Sequence, residues 1–240
     1  MCDGYNMQTK DFLKKGYHIQ EKFISDNKCK QLLEKIADCR KNHEPSRIFQ
    51  KHGDRSLDYK VITGIQIKEK LPEVYQLYLG INQIANQLYG KELHKLENER
   101  ISVNINITGP GGAYRWHYDR NRFTGILYLN ESGGGETELY PNYRVLVKKP
   151  AIQKILDKIL MLRLIRYLFG NHQLIKPETG RMVFMLANTG LHSVRPVTGN
   201  QERVTIIFAF DVKGKQYKVD ENLDKYLYEK SANLNSDPNY

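Results

Sequence analysis

Apolar residues recur at helical intervals in the first part of the chain and at every second position in the later part. Two N-terminal segments show the helical pattern. One starts at Ser25, which can act as its N-cap, and the other is opened by Pro72 and closed by Gly90. We therefore predict that residues 1–98 form a mainly helical region that packs on the rest of the chain.

Two stretches within this N-terminal region depart from the helical pattern. Residues 41–55 are polar and are predicted to form a loop. In residues 59–67 an apolar or hydroxyl side chain stands at every second position, from Tyr59 and Val61 to Ile67, and this alternation predicts a half-buried strand. The N-terminal region is thus expected to be helical with one extended interruption.

The alternating pattern dominates from residue 99 to residue 213. Ile101, Val103, Ile105 and Ile107 alternate with polar residues in a strand that ends at the glycine-rich turn 109–112. Further strands are predicted at 123–130, 135–140, 181–186, 192–197 and 204–212. Many short strands joined by glycine-rich turns indicate an antiparallel sandwich or barrel such as a jelly roll. We assign residues 99–213 to this core and residues 214–240 to a polar C-terminal tail.

One segment inside the core, 148–169, is predicted to be a helix inserted between strands and ended by Gly170. Its first half is amphipathic, whereas Arg163 and Arg166 interrupt the apolar face in the second half. Two interpretations stay open. The helix packs against the barrel with its arginines at the edge, or it contacts a lipid surface, an acyl chain or a carrier partner.

Composition narrows the class of protein only modestly. The 240 residues are 40% hydrophobic and 27% charged, with a formal net charge of +10. No motif of interleaved aromatic and basic residues accompanies this charge, so a nucleic-acid partner is disfavoured. Three cysteines are too few for a disulfide framework. The chain shows neither an N-terminal apolar run nor a membrane-spanning one, and we expect a cytoplasmic protein.

Candidate chemistry begins with the pair His117 and Asp119, which has the form H-x-D. Residues two apart on a strand project to the same side, so the imidazole and the carboxylate could share one ion. His192 opens a later predicted strand and is the candidate third ligand. Two histidines and one carboxylate form the facial triad typical of non-haem Fe(II) oxygenases. Three coordination positions then stay open for a chelating 2-oxo acid and O2.

A 2-oxo acid bound in this way also needs an anchor for its far carboxylate. Arg203 follows His192 by 11 residues, and its guanidinium can grip a carboxylate through two parallel hydrogen bonds. Thr205 is two residues further on the same predicted strand and could donate its hydroxyl to the same carboxylate.

Four motifs occur together in the order H-x-D, Tyr-Leu-Asn at 128–130, Gly-Gly-Glu-Thr at 134–137, and a late histidine followed by a basic residue. With them, residues 99–211 resemble the 2-oxoglutarate/Fe(II) dioxygenases of the prolyl-4-hydroxylase-like type. The resemblance implies a mainly β fold: a double-stranded β-helix (a jelly roll, cupin-like) core with N-terminal helices outside it and the inserted helix. It also implies that Tyr128 binds 2-oxoglutarate. The chain departs from the family pattern in two ways. Arg203 stands where family members often have lysine, and the helical insertion is not part of the minimal pattern.

The implied activity is hydroxylation of an unactivated C–H bond in a small molecule, amino acid or peptidyl substrate, with succinate and CO2 as coproducts. Fe(II), 2-oxoglutarate and O2 are the implied cofactor and cosubstrates, and ascorbate is a candidate reductant. The intact Asp119 favours hydroxylation over halogenation. Desaturation, cyclisation and epimerisation stay open, as do a lipid-like or carrier-tethered substrate, a non-catalytic binding or sensing module, a zinc hydrolase and the oligomeric state.

Three residues near the metal pair are candidate substrate contacts. Tyr114, Arg115 and Arg120 flank the H-x-D pair. A solvated charge is the simpler interpretation of each arginine, and Tyr114 could equally belong to the core. Trp116 is expected to be core packing rather than pocket wall.

Overall fold

A computed structural model describes residues 2–50, 57–213 and 227, with the backbone alone for residues 2–6. The helices are α1 (Cys2–Lys15), α2 (Asp26–Asn42), α3 (Gly64–Lys70), α4 (Pro72–Tyr89), α5 (Glu99–Ser102), α6 (Pro150–Leu160) and α7 (Arg163–Phe169). The first six strands are β1 (Tyr17–Gln20), β2 (Ser46–Gln50), β3 (Leu57–Ile62), β4 (His94–Lys95), β5 (Val103–Thr108) and β6 (Tyr114–His117). The others are β7 (Phe123–Tyr128), β8 (Thr137–Tyr140), β9 (Gln173–Ile175), β10 (Met182–Leu186), β11 (Leu191–Val194) and β12 (Arg203–Asp211).

The strands form two sheets. The larger has the order β1-β10-β7-β12-β5-β3-β2, with β4 also paired to β12, and the smaller has the order β6-β11-β8-β9. Every pairing between named strands is antiparallel. From β5 to β12 the chain alternates between the two sheets, except that β8 and β9 are neighbours in the smaller one, as in a double-stranded β-helix. The predicted mainly β fold with flanking helices is therefore confirmed.

The helices of the N-terminal region pack on the outer face of the larger sheet and bury its main core. α4 contributes Val74, Tyr78 and Ile81 to this core. The Tyr78 hydroxyl donates a hydrogen bond to the Ala209 carbonyl of β12 over 2.8 Å, which fixes the helix against the central strand. Residues 1–98 supply strands as well as helices, because β1, β2 and β3 all join the larger sheet.

Both predicted N-terminal helices are confirmed, together with the residues that begin and end them. The Ser25 side chain accepts a hydrogen bond from the Lys28 amide at the start of α2. Pro72 is the first residue of α4, and Gly90 follows its end with φ of 72°. A left-handed conformation of this kind suits glycine at the C-terminal end of a helix.

The predicted strand at 59–67 is wrong in its second half. β3 ends at Ile62, and Thr63 becomes the N-cap of α3, where the Gln66 side chain accepts a hydrogen bond from the Thr63 amide. Ile67 is still buried, but on a helix. Apolar residues at every second position do not distinguish one long strand from a short strand followed by a helix. Here a capping box ends the strand and starts the helix.

The predicted loop at 41–55 is also wrong in part. α2 continues to Asn42, and β2 pairs antiparallel with β3 from Ser46 to Gln50, whereas residues 51–56 lie outside the described chain. Only Ile48 of this edge strand is buried. A single buried side chain leaves almost no hydrophobic pattern in the sequence, and the short strands β1, β4 and β9 escaped prediction for a similar reason.

The insertion forms two helices instead of one, because the helical backbone breaks between α6 and α7 at Met161 and Leu162. The interpretation that its apolar face packs on the barrel is contradicted. Asp157 and Arg166 face the protein, with 7% and 6% of their surface exposed, whereas Ile155 is 59% exposed and Phe169 is 75% exposed.

Two further expectations concern regions at the limits of the described chain. The predicted C-terminal tail, 214–240, lies outside the described residues apart from Leu227, whose carbonyl accepts a hydrogen bond from the Tyr59 hydroxyl. Within the part of the chain that is described, no helix has the length and apolar character needed to cross a bilayer.

Candidate metal centre

His117 and His192 are brought together by the pairing of two neighbouring strands. His117 ends β6 and lies directly opposite His192 of β11, and the centroids of their rings are 4.0 Å apart. The register of this pair shifts between His192 and Val194. Register shifts such as β-bulges re-aim side chains, and bulges are frequent beside active sites.

Asp119 lies in the loop after β6 and brings its carboxylate beside the two histidines. β6 ends at His117, so the expectation that the whole H-x-D pair lies on a strand is wrong. The backbone amide of Asp119 instead donates to the Ala187 carbonyl over 3.0 Å. The Thr124 hydroxyl donates to Asp119 Oδ2 over 2.7 Å, and Asn121 donates to that hydroxyl. These contacts hold the carboxylate so that Oδ1 faces the histidines.

The three side chains form a group that could hold one metal ion. Asp119 Oδ1 lies 3.4 Å from His117 Nε2 and 3.6 Å from His192 Nε2. All three donor atoms lie within 4.8 Å of one another, and among the residues that the structure describes no other group of this kind occurs. Two donors that are each about 2.1 Å from a common ion are separated by at most about 4.2 Å, so both distances to the carboxylate fit joint ligation.

Hydrogen bonds to the backbone set which nitrogen of each histidine faces the metal position. His117 Nδ1 lies 2.9 Å from the Arg115 carbonyl oxygen, and His192 Nδ1 lies 2.9 Å from that of Gly190. A carbonyl oxygen can only accept, so each Nδ1 carries the proton and donates it. Nε2, the nitrogen beside Asp119, is therefore the one that can offer a lone pair to a metal.

The electrostatics of the group favour an ionised Asp119 and an uncharged His192. Burial raises the pKa of the Asp119 carboxyl, but the two histidines and the Thr124 hydroxyl outweigh it and leave a pKa of about 2. Burial and the neighbouring His117 lower the pKa of His192 to about 4. At neutral pH the centre therefore offers one carboxylate and a neutral His192, the forms that bind a divalent cation.

Arg203 lines the same pocket as the three side chains of the triad. A network of buried hydroxyls holds its side chain in place. Its guanidinium donates to Thr205 Oγ1 over 3.2 Å and to Thr137 Oγ1 over 3.1 Å. The Tyr128 hydroxyl donates to Thr137 over 2.7 Å, and the Arg203 guanidinium carbon lies 5.0 Å from the centre of the Tyr128 ring. Arg203 is only 3% exposed, and its Nε has no hydrogen-bond partner among the described residues. A buried cation with a spare donor fits a carboxylate ligand.

One pocket includes both the triad and Arg203, along with all three candidate substrate contacts. Tyr114, Arg115 and Arg120 line it, and the ring of Tyr114 is 4.6 Å from that of His117. Arg115 is buried rather than solvated. Tyr128 and Thr205 do not line the pocket and reach it only through Arg203 and Thr137. Trp116 packs outside the pocket, beside Tyr140 and Arg166.

Sequence reasoning missed several residues that build the pocket. Thr137 is part of the Gly-Gly-Glu-Thr motif, yet no role was assigned to it, although it bonds both Arg203 and Tyr128. Asn104 and Asn106 belong to the polar half of the alternating pattern in β5, and both line the pocket. An asparagine on the inner side of a strand is the one sequence signal that could have drawn attention to them.

Comparisons with known proteins agree with this geometry. The model of the 2OG-Fe(II) oxygenase superfamily matches residues 103–211. Among curated protein sequences, none matches this chain.

Many solved structures share the fold. SnoK, a non-haem α-ketoglutarate-dependent carbocyclase of nogalamycin biosynthesis, has a TM-score of 0.65 at 14% identity, covering 85% of this chain and 83% of its own. The epimerase SnoN, in complex with Fe3+, α-ketoglutarate and a nogalamycin compound, has a TM-score of 0.62 at 11% identity, covering 89% and 92%. A prolyl hydroxylase from Trichoplax adhaerens, bound to a peptide fragment, has a TM-score of 0.57 at 17% identity, covering 86% and 88%.

At such low identity these structures establish the shared fold, and the sequence match supplies the family. The His-Asp-His group offers two imidazoles and one carboxylate, a donor set that suits Fe(II). Residues 103–211 of this chain therefore belong to the 2OG-Fe(II) oxygenase superfamily, which makes the protein an enzyme that uses Fe(II) and 2-oxoglutarate.

Proposed function

We propose that this enzyme hydroxylates an unactivated C–H bond of a small molecule that carries an anionic group. His117, Asp119 and His192 ligate Fe(II), and Arg203 binds the far carboxylate of 2-oxoglutarate. The observation that carries the proposal is the single pocket lined by both the triad and Arg203. When bound, the iron and the oxo acid would supply the oxidising chemistry together with O2, one oxygen atom of which enters the product and the other the coproduct succinate, with release of CO2.

The protein's own residues bind and orient the reactants. Backbone carbonyls hold the two imidazoles, and Thr124 holds the carboxylate, so the ligand set is preorganised before iron binds. Thr137 and Thr205 hold the Arg203 guanidinium in the pocket wall. Tyr128 orients Thr137 and stacks beside Arg203, so we assign it an indirect role in cosubstrate binding.

The charge of the pocket supports an anionic substrate. Among the described residues, its lining contains three arginines and one carboxylate, that of Asp119. Arg115 and Arg120 line the same pocket and place two further guanidinium groups in its wall. Asn106 Oδ1 is buried in the same lining with no hydrogen-bond partner among the described residues. A lining that contains both guanidinium groups and a buried acceptor suits a substrate with both a carboxylate or phosphate and an N–H or O–H donor, as in an amino acid.

The first test is an anaerobic titration of metal-free protein with Fe(II) and then 2-oxoglutarate, followed by the visible metal-to-ligand charge-transfer absorption. The band should require both additions and should be absent in His117→Ala. Arg203→Ala should bind iron normally but need at least about 30-fold more 2-oxoglutarate, because removing one partner of a buried charged pair costs about 2 kcal/mol or more. Arg47→Ala, a change at an exposed arginine, is the matched control.

A folded, metal-loaded protein without this band would overturn the assignment of the cofactor site. The substrate class is tested separately by succinate release in the presence of amino acids, their methyl esters and proline-containing peptides. We expect the free acids to stimulate turnover and to yield products one oxygen atom heavier. Arg120→Gln should raise KM for the acid but not for the ester. Stimulation by peptides alone would contradict the small-molecule assignment.

A further inference from the structure

The helical insertion presents a large apolar surface to the outside of the protein. Fifteen large hydrophobic side chains are exposed in the described part of the chain, and ten of them fall within residues 145–169. They are Val145, Leu146, Ile152, Ile155, Ile159, Leu162, Leu164, Tyr167, Leu168 and Phe169. We call this set the α6–α7 face. Monomeric soluble proteins rarely expose so many apolar side chains together, and such a patch marks an interaction surface.

The geometry of α6 shows that this exposure is built into the fold. At about 100° per residue, Ile152, Ile155 and Ile159 lie on the side of the helix opposite Asp157. Asp157 is buried and accepts two hydrogen bonds from Arg144, from Nε over 2.8 Å and from Nη2 over 2.5 Å. The helix is therefore anchored to the protein by its polar side, and its apolar side points away.

α7 has the same orientation. Its buried residue is Arg166, whose guanidinium carbon lies 4.2 Å from the centre of the Trp116 ring. Tyr167 is 81% exposed and Phe169 is 75% exposed. A surface helix of a globular protein normally turns its apolar stripe to the core, so both helices of the insertion are inverted relative to that rule.

The charge around the α6–α7 face selects among the partners that an apolar surface could have. All exposed charged side chains within residues 145–169, a segment that the structure describes throughout, are basic: Lys148, Lys149, Lys154, Lys158 and Arg163. The single acidic residue of the segment, Asp157, is buried against Arg144. A second copy of the chain would bring a like-charged surface opposite these residues, which disfavours a symmetric dimer. An anionic surface with an apolar interior complements both properties.

We propose that the α6–α7 face binds the surface of an anionic lipid bilayer. The apolar side chains enter the boundary between headgroups and acyl chains, and the flanking lysines contact the acidic headgroups, as in interfacial amphipathic helices. Both helices lie in the plane of the surface. The proposal rests on the exposed face and its charge, and it stands independently of the proposed substrate and of the iron site.

The test is co-sedimentation of the full chain with vesicles of phosphatidylcholine alone or mixed with phosphatidylglycerol. We expect binding to the mixed vesicles, weakened by salt, and little binding to phosphatidylcholine alone. Ile155→Asp/Phe169→Asp and, separately, Lys154→Glu/Lys158→Glu should each lower the affinity at least about tenfold, because one variant removes apolar insertion and the other reverses the headgroup attraction.

Matched controls carry the same chemical changes elsewhere. Ile65→Asp alters an exposed isoleucine of α3, and Lys28→Glu/Lys30→Glu reverses two exposed charges of α2. Both should bind vesicles like the unmodified chain, and circular dichroism should show that all variants are folded.

Two outcomes would overturn the proposal. One is the absence of binding to mixed vesicles, or equal binding by the α6–α7 variants and the controls. The other is a concentration-dependent dimer in sedimentation equilibrium that Ile155→Asp/Phe169→Asp dissociates, since this would assign the face to a second copy of the chain.

Discussion

Gly135 lies so close to Arg203 that a β-carbon built on the glycine would stand 2.8 Å from Arg203 Cδ. Gly135 also has φ of 70°, a backbone conformation that residues with a side chain rarely adopt. The second glycine of the Gly-Gly-Glu-Thr motif therefore gives Arg203 the space that it needs to reach the pocket. The Gly-Gly-Glu-Thr motif and Arg203 are far apart in sequence, but they are in direct contact in the structure.

Gly135→Ala should weaken 2-oxoglutarate binding by roughly tenfold, because the added methyl group displaces the Arg203 side chain from its hydrogen bonds. Fe(II) affinity should be unchanged, since the triad does not contact Gly135. The charge-transfer titration measures both quantities. Gly80→Ala is the control, because a β-carbon at Gly80 meets no atom within 4 Å. Unchanged 2-oxoglutarate affinity in folded Gly135→Ala would contradict this role.

Thr124→Val should lower the affinity for Fe(II) by about 10- to 100-fold, the range found when a group that orients a metal ligand is removed. The threonine hydroxyl donates to Asp119 Oδ2 over 2.7 Å and so directs Oδ1 to the metal position. Competition with a coloured chelator measures the affinity. Thr189→Val changes a half-buried threonine whose hydroxyl contacts Asn142 and Leu186 instead of the triad, and it should bind iron normally. Equal affinities for the two variants would show that Thr124 does not orient the carboxylate.

Thr137→Val should lower the free energy of unfolding by about 1–3 kcal/mol, because it leaves the buried Tyr128 hydroxyl without its acceptor. Adding Tyr128→Phe should restore part of this loss, since an apolar pair of similar shape leaves no unsatisfied group. Urea denaturation of both single variants and the double variant measures the coupling. Strictly additive effects would mean that the two side chains do not depend on each other.

Asp157→Asn should lower the free energy of unfolding by about 2 kcal/mol, because it weakens a well-buried, two-point contact with Arg144. α6 should then exchange its amide hydrogens faster than α4, which amide hydrogen exchange can resolve segment by segment. The control is Asp38→Asn, which breaks an exposed pair with Lys41 and should cost little. Equal losses of unfolding free energy in the two variants would show that the buried contact between Asp157 and Arg144 stabilises the protein no more than an exposed ion pair does.

The sequence was enough to name the three residues of the His-Asp-His group and the arginine that lines the same pocket. Metal ligands, the oxo-acid anchor and the order of the motifs are local features, and each needs only a residue type at a fixed spacing. The same reasoning placed Asp119 on a strand, because alternation cannot reveal where a ladder of hydrogen bonds stops. It also passed over Thr137, since a threonine in a strand is unremarkable until the arginine that it bonds is known to lie beside it.

The sequence by itself determined the β core, the N-terminal helices with their caps, and the set of chemical groups available for iron and 2-oxoglutarate. These follow from local periodicity and residue chemistry. Only the tertiary structure decided how distant segments meet: that His192 lies opposite His117, that Gly135 makes room for Arg203, and that Asp157 turns the apolar side of α6 outward. An amphipathic pattern shows that a helix has an apolar and a polar side. Which side faces the protein depends on the residues that contact the helix, in this case Arg144, which binds Asp157.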